Sequence, residues 1–161
     1  MKEKEVRFVY EVHHSIKGLN KIDASLLEKS RNITSTAYAP YSNFQVGAVA
    51  LLANGEIVNG SNQENASFPV GLCAERVLMS AISSLYPNIA IHTIAISYNN
   101  LNGESNHPIS PCGICRQSLL EYQSRSNHPI RLIMSGMEGK VFIIPNAAML
   151  LPLSFTSDDL L

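Results

Sequence analysis

No run of lysine or arginine occurs in the 161 residues, and no apolar stretch approaches the length of a membrane span. Charged side chains are scarce at 16 %, and nearly balanced at 12 basic to 13 acidic. Proteins that hold polyanions carry a basic patch, so neither nucleic acid nor membrane is expected as a partner, and a small uncharged ligand is. Internal repeats, low-complexity tracts and linkers are missing too, which leaves one domain expected over 1–161. The opening MKEKEVRFVYEVHH lacks the apolar run of a signal-peptide core. A cytoplasmic location with reduced thiols is therefore expected.

Cysteine is the scarcity with the most chemical content. There are three, Cys73, Cys112 and Cys115, and three cannot all pair within one chain. In a reducing compartment metal binding or catalysis is their expected use. No fourth cysteine exists to close a four-sulfur site.

Apolar residues, 45 % of the chain, are enough for a core. Val6–Val12 reads as a strand. From Ile22 to about Ala37 apolar residues recur three and four apart, the spacing of an amphipathic helix. Val46–Ala53, Asn54-Gly55 and Glu56–Asn59 read as a hairpin. A helix is expected from Cys73 to Leu85, a strand over Ile91–Ser97, and a polar loop over Asn99–Ser110. Pro111 then opens a helix over Cys112–Ser124, proline being tolerated in a first turn. Strands over Arg131–Met134 and Val141–Ile144 and a short helix around Ala147–Leu151 complete an α/β layered domain.

Two fragments carry the chemistry, Cys73-Ala74-Glu75-Arg76 and Pro111-Cys112-Gly113-Ile114-Cys115. Each lies at the start of a predicted helix, where unpaired N–H groups and partial positive charge stabilise thiolates. Cys112 and Cys115, three apart, share one face of a helical turn and can grip one ion. Zinc accepts such sulfur donors in a tetrahedron, and a catalytic site keeps one corner for water. Glu75, two residues from a ligand, is placed to move protons. Three thiolates carry more negative charge than one Zn²⁺ neutralises, and Arg76 is placed to offset the surplus. The other uses of these residues are a redox Cys-x-x-Cys pair, a closed structural site completed by His92, His107 or His128, and a Cys73 that is merely buried. A redox pair does not call for a third cysteine beside a carboxylate.

These fragments, with Tyr41–Ala48 (YSNFQVGA), Asn62–Ser67 (NQENAS) and Leu150–Phe155 (LLPLSF), give the chain a resemblance to the small homotetrameric cytidine deaminases, running from about Ala37 to the C-terminus. The resemblance implies a three-layer α/β/α sandwich around a five-stranded mixed sheet. It implies one Zn²⁺ per subunit on Cys73, Cys112 and Cys115, with Glu75 as the proton carrier. The implied reaction is hydrolysis of cytidine or deoxycytidine to the uridine counterpart and ammonia, in pyrimidine salvage. It further implies Phe44 against the pyrimidine ring and Asn62 and Glu64 on the ribose. The Ala74 N–H and the Ser110 carbonyl would read the base edge. Phe68 and Phe155 match positions that approach a neighbouring subunit's site, so a homo-oligomer, a tetramer, is implied. The same chemistry on cytosine-nucleoside antibiotics, and a zinc-stabilised binding module without turnover, are the alternatives. Two departures stand out: about thirty residues precede the family's usual start, and the Asn99–Ser110 loop is longer.

Overall fold

The computed structural model describes residues 1–160. Its elements in chain order are β1 (Glu11–His13), α1 (Lys21–Ile33), β2 (Phe44–Leu52), β3 (Ile57–Ser61), α2 (Ala74–Leu85), β4 (Ile91–Asn100), α3 (Gly113–Ser126), β5 (Arg131–Ser135) and β6 (Val141–Ile144). The strands form one mixed sheet ordered β1-β6-β5-β4-β2-β3. β4 and β5 run parallel and the remaining neighbours antiparallel.

The sheet sorts its side chains by the two-residue period of a strand. Val49 of β2, Ala95 of β4 and Ile133 of β5 point to one face and pack with Leu26 and Leu27 of α1. Ala48, Ala50, Ile94, Ile96, Leu132 and Met134 point to the other, against Leu78, Met79 and Ile82 of α2 and Leu119 of α3. Covered on both faces, the central strands read as continuous apolar runs. The α/β/α layering implied by the resemblance is what forms.

The sheet has six strands, where five were expected. The additional strand, β1, pairs antiparallel with β6, Val12 opposite Phe142. The predicted Val6–Val12 strand is thereby corrected to Glu11–His13. β6 is only four residues long and ends at Pro145, which has no N–H to extend a ladder. The helix predicted over 22–37 ends at Ile33, and Thr34–Thr36 continues as a 3₁₀ turn. The Thr34 and Thr36 hydroxyls donate to the Arg31 and Ile33 carbonyls, drawing hydrogen bonds away from the helical ladder.

Three contacts fix where the functional elements stand. The Asn20 side chain accepts from the Ile22 and Asp23 amides at 3.0 Å and caps α1. Buried Asp23 receives both guanidinium nitrogens of Arg131 at 2.7 Å, locking α1 to β5. On the other face, a Cβ on Gly60 of β3 would lie 2.6 Å from the Leu78 nitrogen and 2.9 Å from the Ala74 carbonyl oxygen. β3 and α2 therefore meet backbone to backbone, and this sets the depth of the α2 N-terminus.

The predicted polar loop starts later than expected, because β4 runs to Asn100. Ser105 Oγ accepts from the Asn100 amide at 2.8 Å, and its carbonyl accepts from the Glu138 amide at 3.2 Å. A Cβ on Gly136 would sit 2.0 Å from that carbonyl oxygen. The loop is laid directly on the β5–β6 turn, and its far end delivers Ser110, Pro111 and Cys112.

Candidate metal centre

Cys73 and Cys112 are the N-cap residues of α2 and α3, and Cys115 lies in the first turn of α3. Neither cap uses its side chain on the helix's own amides, so the sulfurs stay available. The Cys73–Cys112 and Cys112–Cys115 Sγ separations are 3.7 and 3.5 Å. All three Sγ atoms lie within 4.8 Å of one another, close enough to share one ion with bonds near 2.3 Å. Cys115 is buried, Cys73 half-buried and Cys112 exposed, so the cluster is sealed beneath and open on one side.

The local electrostatics suit a metal. Hydrogen bonding from the Cys115 thiol, then from Cys112, with the charge of Arg76, pulls the Cys73 pKa down to about 6 against the effect of burial. The Cys115 thiol is pushed up by donating to Cys73 and by burial. One proton-sharing cluster of soft donors at two helix N-termini is the donor set zinc prefers. The residues fit the ion.

Glu75 is the second residue of α2 and is 5 % exposed. Burial raises its pKa, and the negative charge of Cys73 raises it further, while its own amide and the Cys115 thiol pull the other way. A buried carboxyl held towards its neutral form beside the sulfurs is of the type that serves as a general acid–base group. Arg76 is half-buried. Its charge acts on Cys73, and no hydrogen bond from it to a sulfur is formed among the described residues.

No histidine joins the cluster among the described residues. His107 Nδ1 lies 3.2 Å from the Tyr98 hydroxyl, and the His92 and His128 rings lie against each other at 4.6 Å. The closed structural site therefore lacks its fourth ligand.

The remaining predicted residues differ in exposure and in the contacts they already make. The Phe44 ring is half-buried and stacks on that of Tyr98, centroids 5.0 Å apart and planes 13° from parallel. Tyr98, just past the predicted Ile91–Ser97 strand, gives no sign in the sequence that it backs Phe44. The Asn62 side chain accepts from the Val46 amide at 2.7 Å and donates to the Phe44 carbonyl at 2.9 Å. It thus closes the end of the β2–β3 ladder. Glu64 Oε2 accepts from the Tyr41 and Ser42 amides at 2.9 and 3.3 Å. The Ser42 hydroxyl and these amides hold the Glu64 pKa below its ordinary value. Ala74 is fully buried and opens α2, so its N–H has no intrahelical acceptor. Ser110 is exposed at the end of its loop. Phe155 is 59 % exposed, and its carbonyl accepts from Gln117 Nε2 at 3.0 Å, tying the C-terminal segment to α3. Phe68 is 90 % exposed. A cavity of about 200 Å³ lies at the opposite ends of α2 and α3, among Ile82, Tyr86, Tyr122 and Arg125, away from the sulfurs.

Known proteins similar to this chain bear on its chemistry. Residues 20–127 match the family described as the cytidine and deoxycytidylate deaminase zinc-binding region. A cytidine deaminase of Halalkalibacterium halodurans is 32 % identical over 135 residues, which cover 84 % of this chain and 95 % of that protein. One from Mycoplasma genitalium is 43 % identical over 99 residues, 60 % of this chain and 70 % of that one. A crystal structure of cytidine deaminase from Burkholderia pseudomallei aligns with a TM-score of 0.71 at 33 % identity, covering 81 % of this chain and 97 % of that one. The matched span contains all three cysteines and Glu75, and the chain belongs to the cytidine and deoxycytidylate deaminase family.

Proposed function

We propose that the chain hydrolyses cytidine and deoxycytidine to the uridine counterparts and ammonia, with one Zn²⁺ per subunit held by Cys73, Cys112 and Cys115. The observation that carries this reading is the convergence of three sulfurs beside a buried carboxyl, with no fourth protein ligand among the described residues. When bound, zinc supplies the Lewis acidity that makes water a nucleophile near neutral pH. Glu75 accepts the proton that the water gives up and hands it to N3 of the pyrimidine as the water oxygen adds at C4. The same carboxylate then takes the second proton from the hydroxyl now on C4 and passes it to the amino group, the C4–N bond breaks and ammonia leaves. The water oxygen remains as the uracil carbonyl.

Phe44, backed by Tyr98, gives the base an aromatic face. The Ala74 N–H and the Ser110 carbonyl offer a donor and an acceptor to the base edge. Asn62 and Glu64 have spent one hydrogen bond or more on the fold, yet an amide and a carboxylate each retain capacity for a sugar hydroxyl. Phe68 and Phe155, large and exposed, supply the contact by which a neighbouring subunit covers the open side in a tetramer.

Cytidine mixed with zinc-loaded protein should lose its ultraviolet absorption in favour of the uridine spectrum. An unchanged spectrum from folded, metal-loaded protein defeats this reading and leaves antibiotic deamination or a binding module. Two substitutions probe the supporting residues. Arg76→Gln should retain zinc and lower turnover ~10-fold, the small end of the effect of residues that orient metal ligands; unchanged turnover would remove Arg76 from the site's electrostatics. Glu64→Gln should raise KM more than it lowers kcat. The sign of the Glu64 shift matters for pH. Its pKa is depressed from 4.5, so its charge and its contribution to the 41–42 turn are present above the unfolded pKa and lost only as pH falls through the lower folded value. KM should accordingly show no Glu64 titration between neutral pH and about 4.5.

A further inference from the structure

The N-terminal arm outruns the strand it pairs with. Only Glu11–His13 are bonded to β6, and the register that sets Glu11 opposite Ile143 would bring Val9 opposite Pro145. Residues 1–10 form no ladder among the described residues, yet their contacts are those of an extended chain. Side chains two apart meet: Phe8 stacks on Tyr10 at 5.4 Å, Arg7 pairs with Glu5 at 3.2 Å, and His13 with Glu11 at 3.0 Å. Tyr10 rests edge-on against Phe142 at 5.0 Å. One face of the arm therefore carries Val6, Phe8, Tyr10 and Val12, at 69, 41, 41 and 52 % exposure; the other carries Glu5, Arg7, Glu11 and His13 around Val9. An open sheet edge with an apolar stripe is a template for another strand.

We propose that this strand is the same arm of a second copy, paired antiparallel about a two-fold axis at Val9, so that one sheet runs through both subunits. In that register Arg7 faces Glu11, Glu5 faces His13, Phe8 faces Tyr10 and Val6 faces Val12, each pair occurring twice. Opposite charges and aromatic pairs directly across an antiparallel ladder are favourable. Neighbouring registers are not. Centring on Phe8 sets Glu5 against Glu11, and centring on Tyr10 sets Arg7 against His13 and Val9 against Glu11. Shifting by half a step puts Glu5 opposite Val12 and mixes the two faces. The arm is complementary to itself in one alignment, and β1 holds it at the edge where that alignment is open.

The interface is independent of the catalytic reading and lies outside the metal centre, so zinc-loaded, full-length protein serves for the test. Under mild oxidation Val9→Cys should cross-link to itself as a covalent dimer on a non-reducing gel, because residue 9 lies on the axis. The parent, its thiols on the metal, should not. Glu5→Cys should cross-link little alone but readily when mixed with His13→Cys. Adding Arg7→Glu to Val9→Cys should abolish most of the dimer, and adding Glu11→Arg to that pair should restore it. No Val9→Cys dimer, equal self-cross-linking at positions 5 and 9, or failure of the double charge reversal to restore it would each overturn the proposal. A circular dichroism spectrum matching the parent separates any such failure from misfolding.

Discussion

Glu75→Gln should keep its zinc and its fold and lose turnover by about 10²–10⁴-fold or more, the usual contribution of one general acid–base group. The proposed cycle asks the carboxyl to move a proton in more than one step, which places the expectation at the upper end of that range. Folding gives no reason for loss. Glu75 is 5 % exposed, and burial already favours its neutral form. A neutral amide of the same shape removes the cost of burying charge. A melting temperature equal to or above the parent's, a full zinc equivalent and almost no uridine formed should be seen together. Parent-like turnover in the zinc-loaded variant would show that another group moves the protons.

Cys115→Ala should abolish metal retention and activity together. Cys115 is fully buried and supplies the inner sulfur of the three. Removing it leaves Cys73 and the exposed Cys112 as a two-donor site. The ion also joins the starts of two helices, so its loss should destabilise the fold. An ion present at a thousandfold excess over its Kd stabilises by about 4 kcal/mol. At roughly 2–4 °C per kcal/mol for a chain of this size, the melting temperature should fall by ~10 °C. A strong chelator should lower the parent to a similar temperature and leave the variant unmoved. One retained zinc equivalent in Cys115→Ala would mean that a group outside the cluster binds the metal.

Much of the centre was legible because its parts are local. Cys112 and Cys115 share a helical turn by spacing alone, Glu75 lies two residues from Cys73, and both fragments follow loops that lead into helices. Convergence of the two fragments needed the sheet, and the resemblance supplied it in advance. Residues with two duties were less legible. Asn62 was marked for the sugar, but its bonds to the Val46 amide and Phe44 carbonyl join positions sixteen and eighteen residues away, which no local pattern reports. Tyr98 fell between the predicted strand and the predicted loop, and its stacking on Phe44 depends on the β2–β4 register. The N-terminal strand was placed too early for a related reason. Val6–Val12 alternates well, but how much of it pairs is decided by Pro145, far along the chain.

The parallel seating of β5 beside β4 also has a kinetic meaning. A parallel neighbour cannot be reached by a tight turn; the chain must first lay down the loop after β4 and the whole of α3. Such distant pairings form late and slowly. On a ribosome, Cys73, Cys112 and Cys115 all emerge before β5 does. Metal capture could therefore precede closure of the sheet, with the ion acting as a clasp that shortens the search the last two strands must make.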